Sequence, residues 1–442
     1  MSQVDLNSTV QHAIELIRLI PEVSDYEIVL GESSGVSTAV RLGKVETLEY
    51  HLDVSFDVNL YMGHKKGYAS SVDLSPQGLA NTIESARRIA QYTQPDPYNG
   101  LAPKALMAFE APDLDLYHPW ELDSNHSIEL ATACEQAALD QPHINNSEGA
   151  EVSSFQGESL YANSNDLIAS QKGAKHSINC SVIAQRDQEM QTAYEFSSAL
   201  DSQDLEAPEW VGQRAAKRAS DKLGAQTLSA RKCPVIFTPR LASGLIAELI
   251  GALGGARQFK QTTFLLDSLG TQVLPAGISI TEDPLRKKTI GAKAFDRDGV
   301  LKRHQSFVED GRVKSYVMGQ YSANQLGLAT TANAGGVNNV LIEHGFDLDF
   351  EALVRQMDRG LIATELMGHG VNATTGNYSR GALGFWVEHG QIQYPVSGLT
   401  IAGNLQDMLL GISGIANDVD NRLNIKSGSV MIDEMTLAGE SE

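Results

Sequence analysis

Cysteine is scarce in this 442-residue chain: Cys134, Cys180 and Cys233 are the only three, and no CxxC spacing occurs. So odd and scattered a set excludes a disulfide framework and reads as buried thiols in a reducing compartment. Long apolar runs are missing too. The most apolar stretch, Leu245 to Leu253, is short and interrupted by Glu248, so no membrane-spanning segment is expected. Met1-Ser2-Gln3-Val4-Asp5 has no basic region leading into an apolar one, so no signal peptide is expected and the reading is cytoplasmic. Basic residues are outnumbered, with 34 Lys and Arg against 55 Asp and Glu, a formal net charge of −21. Such a surface repels phosphate backbones and anionic lipid, which argues against direct nucleic-acid or membrane binding and leaves peptides and other proteins as partners.

What is present describes a folded chain of about two or three domains. With 42% hydrophobic and 20% charged residues it is neither disordered nor fibrous. No internal repeat, low-complexity tract or heptad seam occurs. Val10, Ile14, Leu16, Ile17 and Ile20 approximate one face of a helix over about 8–20. Strands follow at Tyr26 to Leu30 and Ser37 to Val45, with a turn at Leu42-Gly43-Lys44. Val54, Phe56, Val58 and Leu60 then alternate at period two, as in a half-buried antiparallel strand. Ser75-Pro76 supplies an N-cap and an N1 proline for a helix carrying Leu79, Ile83, Ala86 and Ala90 on one face.

The connector Pro95-Asp96-Pro97-Tyr98-Asn99-Gly100 precedes a helix over about 127–138, meandering strands over 145–200 and a helix over about 208–223. Arg214, Lys217, Arg218, Asp221 and Lys222 are read as the solvated face of that last helix. The expected fold class is α+β, with an N-terminal helix-and-hairpin domain over 1–225 and a strand-rich C-terminal domain over 226–442. Short apolar runs mark its strands at 235–237, 277–280, 313–317, 361–366, 385–387 and 430–432. Its one sharply marked helix spans about 238–254. Thr238 caps it, Pro239 takes N1 and Gly254-Gly255 ends it, and Leu241, Leu245, Ile246, Leu249, Ile250 and Leu253 predict its burial.

Catalytic motifs are mostly missing. There is no phosphate-binding GxxxxGK[ST], no paired-glycine dinucleotide fingerprint, and no His-Glu dipeptide from which HExxH could be built. Gly31-Glu32-Ser33-Ser34-Gly35 fits GxSxG, but a strand rather than a helix follows, so a hairpin turn is expected. Ser229-Ala230-Arg231-Lys232 fits SxxK and is read as a solvated linker before a strand. The remaining metal constellation is Glu365 with His369, joined by Glu343, His344 or His389. Against it, His369 lies between Gly368 and Gly370, in a turn rather than a ligand scaffold. The loop from Gly370 to Gly381 is dense in small hydrogen-bonding residues. It either presents groups to an extended peptide or is a long hairpin connection with local turns. Ala332-Asn333-Ala334-Gly335-Gly336 raises the same choice.

In order along the chain, several fragments carry a resemblance. They are Val40 to Glu46, Gly63 and Gly67, Asp96 to Leu101, Asp283-Pro284, Phe295 to Val300 and Ser322-Ala323. Met367 to Asn372, Thr375 to Gly381 and Ile401 to Leu405 complete the set. Together they resemble the PmbA/TldD family, once called modulators of DNA gyrase, over nearly the whole length. The resemblance implies a heteromeric protease whose TldD branch carries HExxxH on a buried helix and a cysteine near its C-terminus. Here the equivalent helix reads Ala247-Glu248-Leu249-Ile250-Gly251-Ala252. Alanines stand where the histidines would be, and no cysteine follows Cys233. The chain therefore resembles the PmbA branch, also called TldE, which lacks the metal motif. The resemblance implies no metal or other cofactor in this chain and a zinc or similar divalent ion in a TldD-type catalytic partner. The substrates it implies are unfolded peptides such as leader peptides and antitoxins.

No catalytic residue is expected. Glu248, Asn333, Asn372, Tyr378 and Arg380 are the candidates for facing a peptide chamber. The competing expectations are a self-sufficient metallopeptidase built on Glu365 and His369, and a non-enzymatic peptide-binding homodimer.

Overall fold

The structure, a computed structural model, describes residues 5–439, so Met1 to Val4 of the segment searched for a leader lie outside the described residues. The N-terminal half runs α1 (Leu6–Arg18), β1 (Asp25–Arg41), β2 (Lys44–Met62), β3 (Lys65–Ser71), α2 (Pro76–Tyr92), α3 (Ser124–Leu139), β4 (Ile144–Asn163), β5 (Ile168–Arg186), β6 (Glu189–Ala199) and α4 (Pro208–Ser220). These strands form one antiparallel sheet in the order β3-β2-β1-β4-β5-β6. Ile28, Leu30, Val36 and Val40 fall at even positions of β1 and so point to one face. That face carries two helix pairs. Toward one end α1 and α2 bury Val10, Ile14, Ile17, Leu79 and Ile83 against Phe56, Val58 and Leu60. Toward the other, α3 and α4 pack through Ala131, Cys134, Ala215 and Ala219 against Val152 and Ile178. Gly212 permits that second pair, because a Cβ there would sit 2.0 Å from the Cys134 carbonyl oxygen.

The C-terminal half runs β7 (Arg231–Phe237), α5 (Pro239–Ala252), α6 (Gly255–Lys260), β8 (Ser279–Glu282), β9 (Gln305–Glu309), β10 (Arg312–Val313), α7 (Gln320–Leu326), β11 (Val340–Glu343), α8 (Phe350–Met357), β12 (Gly360–Met367), β13 (Asn377–Glu388), β14 (Gln391–Asn404), α9 (Leu405–Leu410), β15 (Ile412–Ile415), β16 (Ile425–Lys426) and β17 (Val430–Ala438). One sheet has the order β14-β13-β12-β7-β17-β15, and a further β14–β17 pairing closes its hydrogen bonding into a ring. A second sheet has the order β10-β9-β8-β11-β16. The apolar side chains of α5 lie in one core with Val235, Phe237, Leu361, Trp386, Ile401 and Ile432 from the closed sheet. The α+β class and the strand-rich C-terminal half agree with the sequence reading.

Several local expectations are corrected. Gly31 to Gly35 is no turn but the middle of β1, paired with β2 and with β4 on its two sides. Two neighbouring strands satisfy its backbone, which outweighs the weak strand propensity of glycine and serine. Residues 313–317 contribute only Val313 to a strand. Thr238 precedes α5 without capping it, since its hydroxyl donates to the Ala363 carbonyl at 3.3 Å. Gly254-Gly255 does not close the helical region, because α6 begins at Gly255.

Candidate functional site

The helix that the resemblance equates with the family's metal-motif helix is α5. Its Pro239 sits at the first position, where a missing N–H leaves no hydrogen bond unmade. Positions 247 and 252 lie five residues apart, about 140° around a helix of 3.6 residues per turn. Ala247 accordingly faces outward and Ala252 is fully buried. The Ala252 carbonyl, one of the helix's last, accepts from Gln258 Nε2 at 3.0 Å and Thr263 Oγ1 at 2.8 Å. Polar side chains thus close this end of the helix.

Glu248 is half-buried and lies near enough to Tyr378 of β13 to act on its phenol through its charge. Tyr378 is buried, packs edge-on to Phe237 at 6.5 Å between ring centres, and has its phenol pKa pushed up to about 12. Burial is the main cause; Arg380 opposes it and the Glu248 carboxylate reinforces it. Arg380 is half-buried, and its Nε has no hydrogen-bond partner among the described residues. The patch therefore offers a carboxylate, a phenol and a guanidinium with an unused donor. Such groups can hold a peptide carbonyl or carboxylate, but they supply no nucleophile.

Asn372 belongs to the neighbouring loop and is exposed. Its Oδ1 accepts from the N–H groups of Thr374 and Thr375, both at 3.0 Å, and its carbonyl accepts from Gly376 N at 2.8 Å. The expected 370–381 loop is shorter than its sequence suggests, because Asn377 to Gly381 already belong to β13. Asn333 lies elsewhere. It is buried, donates to both oxygens of the fully buried Glu282 at 3.0 and 2.9 Å, and accepts from Gln305 at 3.1 Å. Lys302, also buried, completes that group at 3.1 Å from Glu282. Asn333 is therefore not brought to the other four.

The Glu365–His369 constellation does not assemble. Glu365 is on β12 and accepts from Lys222 Nζ. His369 is exposed in the loop beyond, and Glu343 and His344 are in and just after β11 of the other sheet. His389 lies in the turn at the far end of β13, roughly 30 Å from His369 at strand spacing. Among the described residues no group of three or more His, Cys, Asp or Glu is placed to hold a metal ion.

Sequence reasoning missed a charged cleft of about 590 Å³ between α4 and β6 on one side and α5, β12 and residues 418–422 on the other. At its base lies Glu195, whose side chain is 2% exposed. It accepts from Arg218 at 3.0 Å, Arg422 at 3.1 Å, the Phe196 N–H at 3.0 Å, and Arg240. Burial alone would raise its pKa. Arg240, the Phe196 N–H, Arg218 and Arg422 together hold it below the usual carboxylate value. Arg240 and Arg422 also lie over the Phe196 ring, at 4.7 and 4.5 Å from its centre. Lys222 is buried rather than solvated, donates to the Thr192 carbonyl at 2.7 Å as well as to Glu365, and has its pKa lowered, chiefly by burial. The available signal was the i,i+4 spacing of Arg218 and Lys222, which the expected helix over about 208–223 would set on one face, although α4 itself ends at Ser220.

Three family domains match in succession: PmbA/TldA metallopeptidase domain 1 at residues 26–90, the central domain at 117–223 and the C-terminal domain at 230–439. The chain is 44% identical over 415 residues to a protein of Escherichia coli O157:H7 named Metalloprotease PmbA, covering 94% of this chain and 92% of that one. A crystal structure from Bacteroides thetaiotaomicron described as a modulator of DNA gyrase superposes with a TM-score of 0.93 at 24% identity, over 100% of both chains. TldE from Thermococcus kodakarensis gives 0.80 at 20% identity, over 99% of this chain and 100% of that one, so both share the fold. Among the described residues no helix is long and apolar enough to cross a membrane. With its three domains matched in order and a 44% identical relative aligned over almost its whole length, this chain belongs to the PmbA/TldD metallopeptidase family.

Proposed function

We propose that this chain is the non-catalytic subunit of a heteromeric cytoplasmic metallopeptidase, working beside a TldD-type partner that holds the divalent metal. The family name implies a metal, and the residues here do not fit one. A hydrolytic zinc site needs about three imidazole, thiolate or carboxylate ligands with an open position for water. At the motif helix this chain offers methyl groups at 247 and 252, one of them sealed in the core. That observation carries the proposal.

The chain's own part is to bind and orient. Arg380 and Tyr378 present donors beside the Glu248 carboxylate, and the Asn372 loop borders them. An extended peptide pairing with strand edges gains sequence-tolerant affinity from its main chain, which suits unfolded substrates such as leader peptides and antitoxins. A charge reversal at the donor, Arg380→Glu, should lower peptide turnover by the assembled complex; unchanged kinetics would remove this patch from the chamber.

Metal content and peptidase activity, measured with and without the partner, test the whole reading. The chain alone should hold less than about a tenth of an equivalent of zinc, iron or manganese and cleave nothing, given the ligand number such metals require. Chelator-sensitive cleavage by the isolated chain would overturn the proposal. It would favour the self-sufficient enzyme that the names of its relatives suggest.

A further inference from the structure

The charged cleft between α4 and residues 418–422 is left unfilled by the chain's own side chains. Its volume of about 590 Å³ falls within the range of about 300–1,000 Å³ that small-molecule pockets occupy. Three half-buried aromatic side chains, Trp210, Phe350 and Phe385, line it. Its arginines differ in how far they are used. Arg422 is fully engaged, with Nε and Nη2 on Asp420 and Nη1 on Glu195 and the Phe196 carbonyl. Arg218 and Arg240 each carry five N–H donors, yet each makes one hydrogen bond with a described residue, to Glu195. Arg240 is only 16% exposed, and its guanidinium lies over the rings of Tyr194 and Phe196, at 5.4 and 4.7 Å from their centres. Stacking fixes its plane and leaves its edge donors free. Donors this deep are ordinarily paired, so these two forks are set for a group that enters the cleft.

A carboxylate of the same cleft is also left over. Asp418 accepts from the N–H and the hydroxyl of Ser429, both at 2.7 Å, and among the described residues no cation lies within ion-pairing reach of it. Six carboxylates and five cations line the cleft, so its charge is close to balanced. A net anion would gain at the arginines and lose to the carboxylates, and a net cation the reverse. A ligand that carries both charges at its ends gains at each. An apolar body between them suits the aromatic walls.

We infer that this cleft binds a zwitterionic short peptide with apolar side chains, its terminal carboxylate on Arg218 and Arg240 and its terminal ammonium on Asp418. A carboxylate matches the guanidinium fork with two parallel hydrogen bonds, which fixes its orientation as well as its charge. The site spans the two halves of the chain, because Arg218 is on α4 whereas Arg240 and Asp418 belong to the C-terminal half. A bound peptide ties them together and should raise the melting temperature. The cleft is separate from the patch around Glu248, so the inference stands or falls independently of the peptidase reading.

Titration calorimetry of the full chain with the dipeptide leucyl-phenylalanine should give a Kd of tens of micromolar, the affinity that about twenty non-hydrogen atoms reach at ordinary ligand efficiency. Its C-terminal amide lacks the carboxylate and its N-acetyl derivative lacks the ammonium. Each should bind about tenfold more weakly or worse, and glycyl-glycine, without the apolar body, should not bind measurably. Asp418→Asn still offers Ser429 an acceptor and should erase the preference for the free amine over the acetylated peptide. Arg218→Gln should shrink the preference for the free acid over the amide. Circular dichroism checks that both variants fold. Should Arg218→Gln fail to, the ligand series on the unaltered chain and on Asp418→Asn still decides. No binding up to about 5 mM, roughly a hundredfold above the expected Kd, would overturn the inference. So would equal affinity for the free and capped dipeptides, or a preference for the free amine that survives in Asp418→Asn. Loss of dipeptide binding in Arg380→Glu would overturn it too, by placing the ligand at the patch beside Glu248.

Discussion

Removing the Glu195 carboxylate should loosen the junction between the two halves of the chain. Glu195 lies on β6 in the first sheet, and two of its partners, Arg240 and Arg422, belong to the C-terminal half. Breaking a buried ion pair by removing one partner costs about 3–5 kcal/mol, because the other charge stays behind without compensation. Here three guanidinium groups stay behind, but they are 16–32% exposed, and Asp420 still holds Arg422 at 2.7 Å and approaches Arg240 at 3.7 Å. Water and Asp420 therefore temper the loss, and Glu195→Ala should cost about 3 kcal/mol, the low end of that range. Glu195→Gln keeps an acceptor and should cost about half as much. Urea unfolding can be followed by the fluorescence of Trp210, which lines the same cleft. The depressed pKa fixes the sign with pH. The stabilisation is complete above the ordinary glutamate value and is lost as pH falls through the lower folded one. The gap between wild type and Glu195→Ala should therefore close in acid. If both variants unfold within about 0.5 kcal/mol of wild type, the scale of an ordinary surface substitution, the reasoning is wrong.

Asp298 should behave in the opposite sense. Burial, with help from Asp296 and Glu27 and against Lys66, pushes its pKa up to about 7. The folded state then holds a proton that the unfolded state releases near pH 4, so this group's contribution falls as pH rises between about 4 and 7. Asp298→Asn keeps an acceptor for the Gln320 N–H, now 2.7 Å away, and should gain on wild type steadily across that window in thermal melts. A constant offset would refute the assignment. Asn333→Ala, which strips two donors from the buried Glu282, should cost about 2 kcal/mol in urea and leave peptide binding unchanged. A selective loss of peptide affinity with normal stability would return Asn333 to the chamber.

Much of the fold was legible because local chemistry and packing agree. Ser75 caps α2, accepting from Gly78 N at 3.1 Å, and Pro76 sits in its first turn as the sequence indicates. The alternation from Val54 to Leu60 marks the buried half of β2, and the apolar run of α5 is buried as expected. What was misread depends on partners far along the chain. Ser379, Arg380 and Gly381 resemble a loop, yet Arg380 pairs with Ile401, and Gly381 with both Met367 and Thr400. Arg218 and Lys222 resemble a solvated face until Glu195 and Glu365 are brought against them from 23 and 143 residues away. No periodicity encodes separations of that kind. At the candidate site, Glu248, Tyr378 and Arg380 were nominated from the family motif and from the composition of the loop. The Glu195 cleft had no motif to announce it.

The order in which strands enter the closed sheet has a consequence for synthesis. β17 lies between β7 and β15 and also binds β14, yet it is made after all of them. Until residues 430–438 leave the ribosome, β7 lacks its antiparallel neighbour and the ring stays open with apolar edges showing. A nascent chain halted before residue 430 should therefore be an aggregation-prone client of chaperones, whereas one halted near residue 225 already carries every strand of the first sheet.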